Sequence, residues 1–155
     1  MFYTYILYSK SIDRYYIGHT SNIEDRVSRH NEGSTRFTSQ TNDWQMIYSE
    51  EYETKGEAMK RENQISAIEE VAQKVLNVRS DFPNSSLADL YDPLTMPPAL
   101  SKAHNELDKA VDLAYRPQPF TSEPKRLEFL FGLYEKYTES LFLTEKVKKV
   151  KKGSK

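Results

Sequence analysis

The chain has no cysteine, only five glycines and a single tryptophan in 155 residues. Without cysteine there is no disulfide and no thiolate zinc site, which fits a reducing cytosol. Five scattered glycines leave no material for a glycine-rich nucleotide loop. Long apolar runs are also missing: a helix needs ~20 such residues to cross a bilayer, and no stretch approaches that. Met1 leads straight into Phe2-Tyr3-Thr4-Tyr5-Ile6-Leu7, with no basic segment before it and no small-residue cleavage site after it. No signal peptide and no membrane segment are expected, and the expected compartment is the cytoplasm. A net charge of -1 supplies no excess of positive charge for a broad electrostatic grip on nucleic acid.

The distribution of charge says more than its sum. Residues 1–70 carry 8 basic and 12 acidic side chains, and residues 71–145 carry 8 and 11. The last ten residues hold six lysines (Lys146, Lys148, Lys149, Lys151, Lys152, Lys155) and no acid. A tail of that kind is expected to be disordered and solvated, adding at most a non-specific phosphate contact. The length suits one medium domain or two small ones.

Phe2 to Ser9 is rich in aromatic and β-branched residues and reads as a strand. A turn at Ser11-Ile12-Asp13-Arg14 and a second strand from Tyr15 to Thr20 complete a hairpin. Gly18 inside that strand marks a bulge or a close approach to the backbone. Ser21 and Glu24 have capping-box spacing, so a helix is predicted to about Asn31, before Gly33. On it Ile23, Arg26, Val27 and His30 share one face, which sets Arg26 and His30 at the edge of the core. A third strand is predicted over Trp44 to Glu50, with Trp44, Met46 and Tyr48 on one side. Thr54 and Glu57 cap a helix from Lys55, whose inward stripe includes Ala58, Glu62, Ile65 and Ala72. A carboxylate at Glu62 among apolar neighbours requires a compensating cation or donors.

No Gly or Pro interrupts Glu57 to Phe82, so one long helix or two abutting helices fit. Prolines at 83, 93, 97 and 98 then break the chain around a short Leu87 to Tyr91 segment. Further helices are predicted from Ser101 to Tyr115 and, capped by Thr121 or Ser122, to about Leu143. Leu107, Val111, Leu127, Leu130, Phe131 and Tyr134 are the expected core of this helical part. The architecture is therefore α+β: a small three-stranded antiparallel sheet flanked by helices over residues 1–70, an all-α region over 71–145, and a basic tail over 146–155.

Tyr3-Thr4-Tyr5, Tyr16-Ile17-Gly18, Arg26, His30 and Glu62 occur in an order and spacing that resembles the GIY-YIG nuclease family. The small stand-alone bacterial members are most similar, with FYTYILYSK, RYYIGHT, IEDRVSRHN and EYETKGEAMKRENQI carrying the likeness over residues 1–65. The resemblance implies a DNA endonuclease. Tyr5 matches the tyrosine of the first motif and Tyr16 that of the second. Arg26 matches the helix arginine, His30 the residue after it that is often His or Tyr, and Glu62 the metal-binding glutamate. By this resemblance one Mg²⁺ or Mn²⁺ is held by Glu62 and waters, and Arg26 neutralises the phosphate. Tyr16, or His30 through it, takes the proton from water, while Tyr5 orders the water or the phosphate.

The second half is similar to something else. RSDFPNSSLADLYDPLTMPPALSKAHNELDKAVDLAYR and PFTSEPKRLEFLFGLYEKY resemble the C-terminal helical end of large DNA methyltransferases and fused restriction–modification enzymes. The methyltransferase chemistry does not come with it: there is no Asn/Asp-Pro-Pro-aromatic motif, and Met96-Pro97-Pro98-Ala99 is no substitute. This half is expected to recognise DNA or to dock on a methyltransferase or restriction-complex partner. The competing expectation for the whole chain is a catalytically inactive nucleic-acid-binding or docking module.

Overall fold

The structure is a computed structural model that describes residues 1–34 and 36–152, with side chains, residue 35 excepted, as far as residue 138. Its contacts divide the chain into two units, Met1–Pro117 and Gln118–Lys155. The first unit opens with β1 (Phe2–Ser9), β2 (Arg14–Thr20), α1 (Ile23–Asn31), β3 (Trp44–Tyr52) and α2 (Lys55–Ser80). It continues with α3 (Leu87–Leu90) and α4 (Pro98–Tyr115). The three strands form one antiparallel sheet in the order β2-β1-β3, so the α+β architecture is the one the sequence announces.

The turn between β1 and β2 is closed at Asp13, whose φ of 48° is tolerated because its short carboxylate accepts from Tyr8 Oη at 2.8 Å. Side chains of β1 alternate between two covered faces. Tyr5, Leu7 and Trp44 form one cluster with Ile12, Tyr16 and Val27 packed against it, on the α1 side. Thr4 points the other way and donates to the carbonyl of Ala58 on α2 at 2.8 Å.

α1 begins at a different cap from the predicted one. Asn22, not Ser21, is the N-cap, accepting from the Asp25 amide at 3.1 Å. The predicted side of β3 also needs correction. The β1–β3 register shifts between Ile6 and Leu7, pairing Leu7 with Met46 but Ile6 with Tyr48. The extra residue is Ile47. Because Ile6 and Leu7 face opposite ways, Met46 and Tyr48 do too, so they do not share a side.

α2 is a single helix that runs through residue 70, where the sequence sets a domain junction. Thr54 and Glu57 make its capping box, as expected. A second cluster then forms around its C-terminal half: Val75, Leu90, Leu100 and Ala103, with Val78, Phe82, Met96 and Leu107 against it. α4 starts at Pro98, three residues before the predicted start, with proline in its first turn. Proline lacks only an N–H that the first turn leaves unbonded, so there it opens the helix instead of breaking the chain.

The second unit contains α5 (Glu123–Lys152). Leu127, Leu130, Phe131 and Tyr134 are exposed, so they are not the core that the sequence proposed. α5 also passes the predicted end at Leu143. From Leu133 onward the sequence has no Gly or Pro to stop it before Gly153, and its lysines are good helix formers. Residues 153–155 of the basic tail lie outside the described residues. Among the described residues no helix is long and apolar enough to cross a membrane.

Candidate active site

The hairpin and α1 bring four of the five predicted residues into direct contact. Tyr5 is fully buried and lies across Gly18, its partner on β2. A Cβ on Gly18 would stand 2.6 Å from the Tyr5 hydroxyl, so the absent side chain is what lets the ring lie there. The hydroxyl accepts from Arg26 Nε at 3.1 Å and meets His30 Nε2 at 3.0 Å. Arg26 also reaches the Tyr16 hydroxyl through Nη2, a longer contact of 3.5 Å. The Tyr16 ring packs against the His30 imidazole at 4.4 Å, centroid to centroid, with the planes tilted by 57°.

Electrostatics separate the roles of these groups. Burial, opposed by the Arg26 hydrogen bond and charge and assisted by the charges of Tyr16 and Glu62, pushes the Tyr5 hydroxyl up to about 12. Tyr5 is therefore a neutral donor at physiological pH. Burial, then the Arg26 charge, lowers His30 to about 4, so its ring is neutral. With Arg26 donating into Tyr5, the Tyr5 proton goes to His30 Nε2. His30 Nδ1–H then faces Thr38 Oγ1 at 2.9 Å. The relay Arg26–Tyr5–His30–Thr38 is closed to water at its inner end, because His30 and Thr38 are both fully buried. His30 thus has no access of its own to a water molecule; Tyr16, half-buried, is the tyrosine nearer solvent.

Glu62 is placed differently. It stands half-buried on α2, on the opposite face of the sheet from Tyr5 and Tyr16. Its partner is His19 Nδ1, a residue that the sequence reading did not single out. His19 follows Gly18 on the edge strand β2, so the Tyr5 hydroxyl and the Glu62 carboxylate flank the same stretch of β2 from its two faces. The charge of Glu62 acts on Tyr5 across that edge. The alternation of β2 carried the signal: Tyr16 and Gly18 face α1, so Ile17 and His19 face α2, where a half-buried glutamate requires a donor.

Among the described residues no three His, Asp or Glu side chains converge to hold a metal. A cation at Glu62 would have one carboxylate from the protein and the rest of its shell from water and phosphate. That donor set suits Mg²⁺ or Mn²⁺, which keep several waters, and not zinc.

Comparison with known proteins follows the same division. The GIY-YIG catalytic domain, a nuclease family, matches residues 1–69, and the MmeI C-terminal domain matches residues 60–142, so the two overlap inside α2. A UPF0213 protein of Staphylococcus saprophyticus is 35% identical over 80 residues, which is 51% of this chain and 94% of the relative. DNA methyltransferase A of Bacillus subtilis is 44% identical over 72 residues, 46% of this chain. A solved structure of the Type IIL restriction-modification enzyme MmeI in complex with DNA is 52% identical over 50% of this chain, with a TM-score of 0.46. The chain spans only 8% of that methyltransferase and 10% of that MmeI chain. With a family match over more than half its length, the chain belongs to the MmeI C-terminal domain family, and its residues 1–69 match the GIY-YIG catalytic domain.

Proposed function

We propose that this chain is a metal-dependent DNA endonuclease of the GIY-YIG type, acting in the cytoplasm and linked to restriction–modification through its second half. The observation that carries the reading is Arg26. One guanidinium donates to the hydroxyls of both motif tyrosines, and it is permanently charged and partly exposed. That arrangement offers a phosphate a planar donor fork next to two phenols.

In this reading each residue has a distinct role. Arg26 binds the scissile phosphate and offsets charge that builds on it. Tyr5, neutral and locked by His30, donates or orders and does not act as base. Tyr16, acting as its phenolate with Arg26 at its oxygen, holds the attacking water and accepts its proton. His30 accepts the Tyr5 hydroxyl proton at Nε2 and fixes the position of Tyr5 from behind. Glu62 would hold one Mg²⁺ or Mn²⁺, which when bound polarises a phosphate oxygen and eases departure of the alkoxide. The MmeI-related half would supply DNA contacts or docking on a methyltransferase or restriction-complex partner.

Nicking of supercoiled plasmid by the purified full chain tests this reading. Conversion to open circles should need Mg²⁺ or Mn²⁺, stop with a chelator, and vanish in Glu62→Gln while that variant still folds. A folded wild type that binds DNA and cuts none would make the chain a docking module.

A further inference from the structure

Glu62 projects from the helix on the far side of the sheet, and one side chain ties it to the edge where the tyrosines meet. An ionised carboxylate can only accept, so His19 must carry the proton on Nδ1 and donate it to Glu62 Oε2. The two side chains are each 25% exposed, so the pair is partly shielded from competing water. Oε1 has no hydrogen-bond partner among the described residues. On this observation, and resting on the nuclease reading above, we infer that His19 is the positioning residue of the metal site. It fixes the Glu62 carboxylate against the β2 edge beside Tyr5 and leaves Oε1 directed at a divalent cation.

The physical need is specific to this chain. A glutamate on a helix has many rotamers, and only those reaching β2 bring its charge to the tyrosine cluster. A donor on residue 19 selects them. Residue 19 is suited to this because strand alternation turns it towards α2, while Gly18 beside it carries the Tyr5 ring. Partners that orient a ligand from outside the coordination shell typically contribute roughly 10- to 100-fold in metal affinity.

The test is Mn²⁺ binding by the full chain in the presence of a cleavage-resistant phosphorothioate duplex, read as loss of the free Mn²⁺ signal in electron paramagnetic resonance. His19→Ala should weaken Mn²⁺ binding roughly 10- to 100-fold while the metal-free protein keeps its wild-type circular dichroism. His19→Asn sets its amide nitrogen on Cγ, where Nδ1 was, and should restore near wild-type affinity. His19→Gln moves the nitrogen one bond further and should stay weak. That pair of variants decides the matter even if the alanine variant fails to fold. Equal affinity in wild type, His19→Gln and His19→Ala overturns the inference, as does an asparagine variant no better than glutamine. If the wild type itself takes up no Mn²⁺, or Glu62→Gln takes up as much, the metal reading of Glu62 falls and the inference with it.

Discussion

Replacing Gly18 with alanine is the sharpest perturbation the site offers, because it adds one methyl group where there is no room. The new Cβ would meet Tyr5 Oη at 2.6 Å, Tyr5 Cζ at 2.8 Å and Tyr16 Cε1 at 2.9 Å. Ordinary contact begins at 3.4 Å, so the Tyr5 hydroxyl must retreat by 3.4 − 2.6 = 0.8 Å. It cannot do so freely: Arg26 Nε holds it at 3.1 Å and His30 Nε2 at 3.0 Å. Overpacking of this kind costs ~1–3 kcal/mol. A displacement near 1 Å at a reacting group lowers turnover on the order of 100-fold. The expected outcome is thus a modest loss of stability in urea melts and a much larger loss of plasmid nicking rate. Tyr5→Phe removes the closest of the three clashing atoms, so Gly18→Ala should cost less in that background, a coupling that a double-mutant cycle measures. A nicking rate within a few-fold of wild type, or strictly additive costs, would show that the Tyr5 hydroxyl does not sit where the chemistry needs it.

Arg26→Lys keeps the charge but loses the fork that spans both tyrosines, so turnover should fall more than DNA affinity; equal losses would recast Arg26 as a simple phosphate anchor. His30 has a folded pKa of about 4 against 6.5 when unfolded. The unfolded chain therefore binds more protons between these values, and the contribution of the neutral ring is complete above pH 6.5 and lost as pH falls towards 4. Urea melts should lose up to about 3 kcal/mol over that window, before the low-lying Glu50 carboxylate begins to titrate, and a flat profile from pH 7 to 5 would refute the buried neutral assignment. A fragment of residues 1–80 should stay folded around Tyr5, Leu7 and Trp44 but fray along α2 beyond Ile65. Circular dichroism and amide exchange check this, and an insoluble fragment would show that the two clusters are one core.

What was legible in the sequence was whatever local chemistry dictates. The aromatic, β-branched run from Phe2 to Ser9 and the Thr54/Glu57 pair specify strand and cap with no help from distant residues. The capping choice at α1 was not decidable that way, since Ser21 and Asn22 both suit the position and only the backbone path selects one. Ile47 gives no sign of a bulge, being an ordinary strand residue whose displacement is set by pairing with β1. Pro97-Pro98 looked like a break because proline has two opposite meanings, and α4 uses the other one. The apolar stripe of α5 has helical period, yet period alone does not say what covers it, and Leu127, Phe131 and Tyr134 are exposed. Tyr5, Tyr16, Arg26 and His30 are close in sequence on adjoining elements, so spacing foretold their meeting. Glu62 and His19 are 43 residues apart and meet only through the packing of α2 on the sheet.

That packing explains why the two families overlap where they do. α2 faces three ways along its N-terminal half. Glu62 turns to His19 on β2. Arg61, the residue before it, makes a forked pair with Glu50 on β3 at 2.7 and 2.9 Å and also donates to the Ala114 carbonyl at the end of α4 at 3.3 Å. Gln64 donates to the neighbouring carbonyl of Leu113 at 3.1 Å. Carbonyls at a helix C-terminus lack partners within their own helix, so these two side chains cap α4 from outside. The residues that close the sheet, seat the carboxylate and receive the MmeI-related helix thus lie within one turn of α2. A shift of α4 acts on Arg61 directly, and Arg61 is joined by rigid helix to Glu62.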